Sequence, residues 1–211
     1  LKVFDLALDV PTADITRAAA LDERGCAATM AFGMEAIAGG TDLLVLGASG
    51  EGGEIAAAAL IAALLGEAVA EDLAALPQAL STPIRAALAA HAGVSSDPLA
   101  ALASLGGRET AALAGAIVAA RLEKVPVLLD GLSALAAAVV VQALRHDGTD
   151  HCMLGDLGAI GLQRTVAQHI GLDHVVDMGL GAGDGTGGAV AAATLRSLVA
   201  TAEPMQRSAP H

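Results

Sequence analysis

The chain has 211 residues, 55% of them hydrophobic and 1% aromatic, with 23 acidic side chains against 11 basic ones and a formal net charge of -12. That length suits one domain with a sizeable core and no staples, and without Trp or Tyr the core must come from Ala, Leu, Val and Ile. Composition argues twice against nucleic-acid binding: no Lys/Arg-rich stretch meets phosphates, and no aromatics stack on bases.

In chain order, Cys26, Met30, Met34 and Ile37 recur at helical spacing and predict a helix ending at Gly39-Gly40. Leu43 to Gly47 is a nearly continuous apolar run, the signature of a strand buried on both faces, and it leads through a glycine-dense turn into an alanine-rich helix. From Gly66 to His91, acidic residues (Glu67, Glu71, Asp72) and two prolines (Pro77, Pro83) predict helical pieces in a surface excursion. SSDPLAALASLGGRE reads as a capped short helix followed by the start of a longer one, Glu109 to Leu122. Then come strands over Val125 to Gly131, His151 to Asp156 and His174 to Gly179. Helices are expected over Leu132 to Arg145 and, at the end, Gly187 to Ala200. The alternation predicts an α/β fold: a parallel, doubly wound sheet flanked by helices, Rossmann-like and three-layered, forming a single domain over residues 1–211.

Cys26 and Cys152 are too few and too far apart for a CxxC site and read as reduced, half-buried residues of a cytoplasmic protein. The longest apolar runs, Ile55 to Leu65 and Leu132 to Val141, are shorter than the roughly 20 residues of a membrane helix. Nothing at the N-terminus resembles a signal peptide, and a first residue of Leu1 rather than Met fits a trimmed chain or a fragment.

In such folds ligands lie beyond the carboxyl ends of the strands. The four endings are GASGEGG, Asp130-Gly131, GDLGAIG and GLGAGDGTGG, and two of them are glycine-rich loops that open helices. Converging on one crevice, these two would suit an anionic, phosphorylated small molecule. Serving only tight turns and close helix-sheet packing, they would suit none. Glu51 and Glu54 oppose a phosphate at the first turn unless Arg85 or Arg164 comes near. RHDGTDHC gathers His146, Asp147, Asp150, His151 and Cys152, but neighbours entering a strand point to opposite faces, which argues against a metal site. His169 and His174 flank a helix-strand turn, Ser49 lacks the spacing of a nucleophile elbow, and Arg108-Glu109 opens a helix with a charged first turn.

Taken together, FDLALDVPTADITRAAALDERGCAATMAFGMEAIAGGTDLL, SDPLAALASLGGRETAALAGAIVAARLEKVPVLLDG, DHCMLG and LDHVVDMGLGAGDGTGGAVAAA resemble the nicotinate-nucleotide–dimethylbenzimidazole phosphoribosyltransferase family. The likeness runs over nearly the whole chain and corresponds to the larger, C-terminal part of the family's usual length, its N-terminal portion being absent. It implies transfer of phosphoribose from nicotinate mononucleotide to 5,6-dimethylbenzimidazole, giving α-ribazole phosphate and nicotinate, in cobalamin lower-ligand synthesis. The chemistry implied needs no cofactor and no metal: a carboxylate takes the benzimidazole proton, and glycine loops with a lysine hold the phosphate. The partners implied are those two small molecules and a second subunit in a homodimer, without nucleic acid or membrane. Carried over by position, the substrate-binding residues are Gly47, Gly50, Gly52, Asp130, Gly131, Gly183, Asp184, Gly185, Thr186 and Gly187. No catalytic residue carries over. Where the family reads E-M-G-I-G-N-T this chain reads Ala48 to Glu54, the lysine-bearing segment is DLAALPQALSTPIRAALAAH, and MQRSAPH replaces the motif with the general base. Those departures raise a second reading, a non-catalytic relative that binds a nucleotide or pairs with a full-length subunit.

Overall fold

Four apolar runs become four parallel strands in the computed structural model, which describes residues 1–207. Helix α1 (Glu23–Ala36) opens the regular structure, its start fixed by the Asp22 carboxylate, which accepts the Gly25 N–H at 2.6 Å. It ends at an Ile37 cap, ahead of the expected Gly39-Gly40 stop, and both glycines take left-handed backbone just beyond it. Strand β1 (Leu44–Leu46) and α2 (Gly53–Leu65) follow, then a 3₁₀ turn (Gly66–Val69), α3 (Ala70–Ala75) and α4 (Gln78–Ala90). The helical pieces expected over this excursion are therefore present. Helix α5 (Pro98–Ala101) is capped by Asp97 and runs through a π-helical stretch (Leu102–Gly106) into α6 (Gly107–Glu123). The rest alternates: β2 (Val127–Leu129), α7 (Gly131–Leu144), β3 (Cys152–Asp156), α8 (Gly161–His169), β4 (His174–Val176) and α9 (Thr186–Arg207). Helix α9 outruns its expected end at Ala200, and of the C-terminal MQRSAPH segment Ser208 to His211 lie outside the described residues.

The strands are hydrogen-bonded in the order β1-β2-β3-β4, with Val45 opposite Leu128 and Leu128 opposite Met153. Period-two alternation assigns the two faces. Leu44, Leu46, Val127, Leu129, Cys152 and Leu154 join the main core with α2, α6 and α7, whereas Leu128 is buried apart from it. The second face belongs to α9, whose Gly188 lies against the Val45 side chain. This is the three-layer, parallel α/β arrangement the sequence predicts.

Alanine and glycine allow the close helix packing that the lack of aromatics demands. Cys26 and Gly33 are the buried residues of α1, and against α6 a β-carbon at Gly33 would overlap the Ala112 carbonyl oxygen and one at Gly115 the Met30 carbonyl oxygen. The consecutive helical residues Gly53–Ala75 contain an 18-residue window of mean hydropathy 1.7 and are long and apolar enough, by length and composition alone, to cross a membrane. Yet Gly66 (φ 54°) breaks this run, and Ala57, Ala59, Leu60 and Ile61 are fully buried in the core. The run is thus a core helix with a short continuation.

Candidate functional site

The site lies where all four strands end, and each strand contributes differently. After β1, Gly47 packs so closely on the last glycine loop that a β-carbon would overlap the Gly185 nitrogen. The next residue locks the same joint, its Ala48 N–H donating to the Gly183 carbonyl at 2.9 Å. After β2, Gly131 (φ 80°) leaves no room for a β-carbon beside the Gly183 Cα. The loop of Gly183, Asp184 and Gly185 therefore folds over Gly47, Asp130 and Gly131, and Thr186 and Gly187 begin α9 behind it. Gly50 and Gly52 are in the same turn as Gly47 but face outward from this joint; Gly52 (φ 76°) caps α2 without a side chain.

Two buried carboxylates hold the loops together. Asp130, 1% exposed, accepts the N–H groups of Gly185 and Gly187 on Oδ2 at 2.8 and 3.2 Å. Burial pushes its carboxyl above the ordinary range, outweighing those N–H groups, and the nearby Asp184 charge acts in the same direction. Asp184 itself is held below the usual range by hydrogen bonds from Thr186, hydroxyl first and backbone N–H second. Asp156, equally buried at the end of β3, accepts Met178 N–H on Oδ1 at 2.7 Å, and Leu180 and Gly158 N–H on Oδ2 at 2.7 and 3.0 Å. Asp130 is among the site residues expected from the sequence, and Asp156 is not. The signal was the same in both cases, an Asp closing a buried apolar run.

The Arg108-Glu109 pair is split by the structure. The Arg108 guanidinium donates to the Val10 carbonyl at 2.6 Å and ties down the N-terminal segment. Glu109 turns instead toward the first glycine turn, its Oε1 3.3 Å from where a Gly53 β-carbon would stand and 3.8 Å from that of Gly50. It reaches there because the π-helical stretch ends at Gly107 (φ 73°), which re-aims the first turn of α6. Neither expected cation is committed to the turn: Arg164 pairs with Asp177 at 3.0 Å, and Arg85 is exposed on α4. Beside Glu54, the side chains of Ala58, Leu76, Leu80, Ile84, Leu132 and Leu162 form an apolar wall.

The RHDGTDHC cluster sits at the opposite end of the sheet. Asp147 binds Arg121 and Arg145 at 2.8 and 2.5 Å, and His151 Nε2 lies 3.0 Å from the Ile117 carbonyl. Burial lowers the His151 pKa and raises that of Cys152 to about 12. Among the described residues, no three His, Cys, Asp or Glu side chains converge as metal ligands.

A parallel α/β sheet whose glycine loops interlock over the strand ends defines the class: a three-layer α/β protein, of the kind in which ligands, where bound, lie at the carboxyl edge of the sheet. A family model described as Phosphoribosyltransferase matches residues 1–210. A nicotinate-nucleotide–dimethylbenzimidazole phosphoribosyltransferase of Brucella anthropi is 49% identical over 205 residues, 93% of this chain and 60% of the relative. One from Brucella melitensis biotype 2 is 51% identical over 200 residues, 91% of this chain and 59% of the relative. The solved Thermus thermophilus enzyme of the same name superposes with a TM-score of 0.77 at 33% identity, over 88% of this chain and 58% of that one. The chain belongs to the nicotinate-nucleotide–dimethylbenzimidazole phosphoribosyltransferase family. It spans about 60% of the length of the curated relatives it matches.

Proposed function

We propose that the crevice takes nicotinate mononucleotide and that the chain transfers its phosphoribose to 5,6-dimethylbenzimidazole, as a cytoplasmic homodimer. The bond from the anomeric carbon to the nicotinate nitrogen breaks, a bond to the benzimidazole nitrogen forms, and a base receives the benzimidazole proton. The observation that carries this reading is the Ala48 to Gly183 joint, which brings both glycine loops to one place. A phosphate would sit at the start of α2, where among the described residues the N–H groups of Glu54 and Ile55 have no partner. Holding the donor there is a positioning role. Glu51 and Glu54 weaken that site, because both are exposed carboxylates in the same turn.

A second reading rests on Ala48, which stands where the family carries a glutamate. In that reading the chain is a non-catalytic relative that binds the nucleotide or pairs with a full-length subunit. Calorimetric titration with nicotinate mononucleotide, followed by nicotinate release in the presence of dimethylbenzimidazole, separates the two. Binding with turnover supports transfer, and binding without turnover supports the non-catalytic relative. No binding at millimolar ligand defeats the shared premise that the crevice accepts the nucleotide.

A further inference from the structure

Asp130 occupies the N-cap position of α7, with extended backbone (φ -126°, ψ 122°), yet its side chain makes no bond to α7. It crosses instead to the first turn of α9 and accepts the N–H groups of Gly185 and Gly187. Gly187 permits this approach, since a β-carbon there would stand 2.6 Å from Asp130 Oδ1 and 2.8 Å from the Asp156 Cβ. The N-terminus of a helix is where an external anion would find unpaired N–H groups and the positive end of the helix dipole. At α9 that place is filled by a carboxylate of the same chain. Its fit is specific: the residue is 1% exposed, and both N–H groups converge on one oxygen.

The start of α2 is built the other way. Gly52 contributes no side chain, Gly53 N–H bonds back to Gly50, and Glu54 and Ile55 N–H are left open among the described residues. Of the two glycine loops that the sequence presents as equivalent cradles, one thus has its N–H groups taken by a buried carboxylate of the chain, whereas at the other the Glu109 carboxylate stands 3.3 Å from where a Gly53 β-carbon would be and accepts neither N–H.

We propose that Asp130 is a positioning residue: it serves as the built-in acceptor at the start of α9, fixes the Gly183–Gly187 loop over the strand ends, and keeps an external anion from the N–H groups of Gly185 and Gly187.

The test uses the whole ¹⁵N-labelled chain, with inorganic phosphate as the probe and backbone amide shifts as the readout. In the wild type, phosphate is expected to leave the Gly185 and Gly187 amides unmoved. In Asp130→Ala, both should become phosphate-responsive, at concentrations at least tenfold below any that move them in the wild type. Asp130→Asn, which keeps an acceptor oxygen, should remain closer to wild type. A merely structural Asp130 would lower stability without creating this new response. The proposal is overturned if Gly185 and Gly187 in the wild type respond to phosphate as strongly as in Asp130→Ala. It is also overturned if they stay silent in folded Asp130→Ala. Should that variant fail to fold, the wild-type titration still decides: a response of Gly185 and Gly187 to phosphate refutes the occupation of α9 by Asp130, and silence of both supports it.

Discussion

Gly47 and Gly185 meet backbone to backbone beyond the strand ends, and no side chain fits between them. Gly47→Ala should therefore part the two loops, at about 1–3 kcal/mol, the usual cost of overpacking. The same change should weaken nicotinate mononucleotide binding, if the crevice is its site, by tenfold or more. Gly181→Ala is the matched control, because a β-carbon there meets nothing within 4 Å. Denaturant midpoints and calorimetry on both variants check the expectation; equal behaviour of the two would refute it.

Asp156 satisfies three backbone N–H groups from two loops. Replacing it by Ala strands buried donors, and each such loss costs about 1–3 kcal/mol. The expected result is marked destabilisation together with faster hydrogen exchange at Met178 and Leu180. Asp156→Asn retains part of the acceptor capacity and should fall between the two. Exchange rates unchanged in Asp156→Ala would contradict this account of the loop.

The pH dependence of Asp130 has a definite sign. Its carboxyl is raised above the ordinary 3.8, first by burial and further by Asp184, against the N–H groups of Gly185, Gly187 and Gly188. A raised folded-state pKa gives stability that is fully present below the unfolded value and is lost as pH rises through the folded value. Asp130→Asn lacks this titration. The stability of the wild type relative to Asp130→Asn should consequently fall as pH climbs from about 3.8 through the raised folded-state value. Paired urea unfolding curves across that interval measure it, and a difference that grows with pH would reverse the sign.

Both cysteines are free and buried, and burial raises both thiols, Cys152 to about 12. Since the thiolate is the reactive form, iodoacetamide at pH 8 should label neither in the native chain and both in urea. Rapid native labelling of Cys152 would mean that β3 opens at its N-terminal end.

The strands were legible because a strand buried on both faces must be apolar throughout, and LVL and VLL could hardly read otherwise. The glycine loops were legible as strand endings for the same reason. Side-chain partners across the fold were not. By position Asp130 should cap its own helix α7, and no local spacing tells that its carboxylate crosses to α9. Likewise Asp156 reaches Met178 and Leu180, more than a helix away in sequence, so nothing near it announces the partner. Arg108 and Glu109 are adjacent yet serve opposite ends of their corner, a split made by the π-helical stretch and Gly107 before them. Close contact of α1 with α6 had only a weak sign, glycines at helix-interior positions 33 and 115.

The strand order also sets an order of events during folding. Strands β2, β3 and β4 follow one another with a single helix in each connection, so their pairing closes short loops. Between β1 and β2, by contrast, the chain runs through five α-helices, and α9 comes back from the far end to lie against Val45. Short closures precede long ones in topology-limited folding. The joint of Gly47 with Gly185 depends on both long closures, so β2, β3 and β4 can pair before the two glycine loops meet.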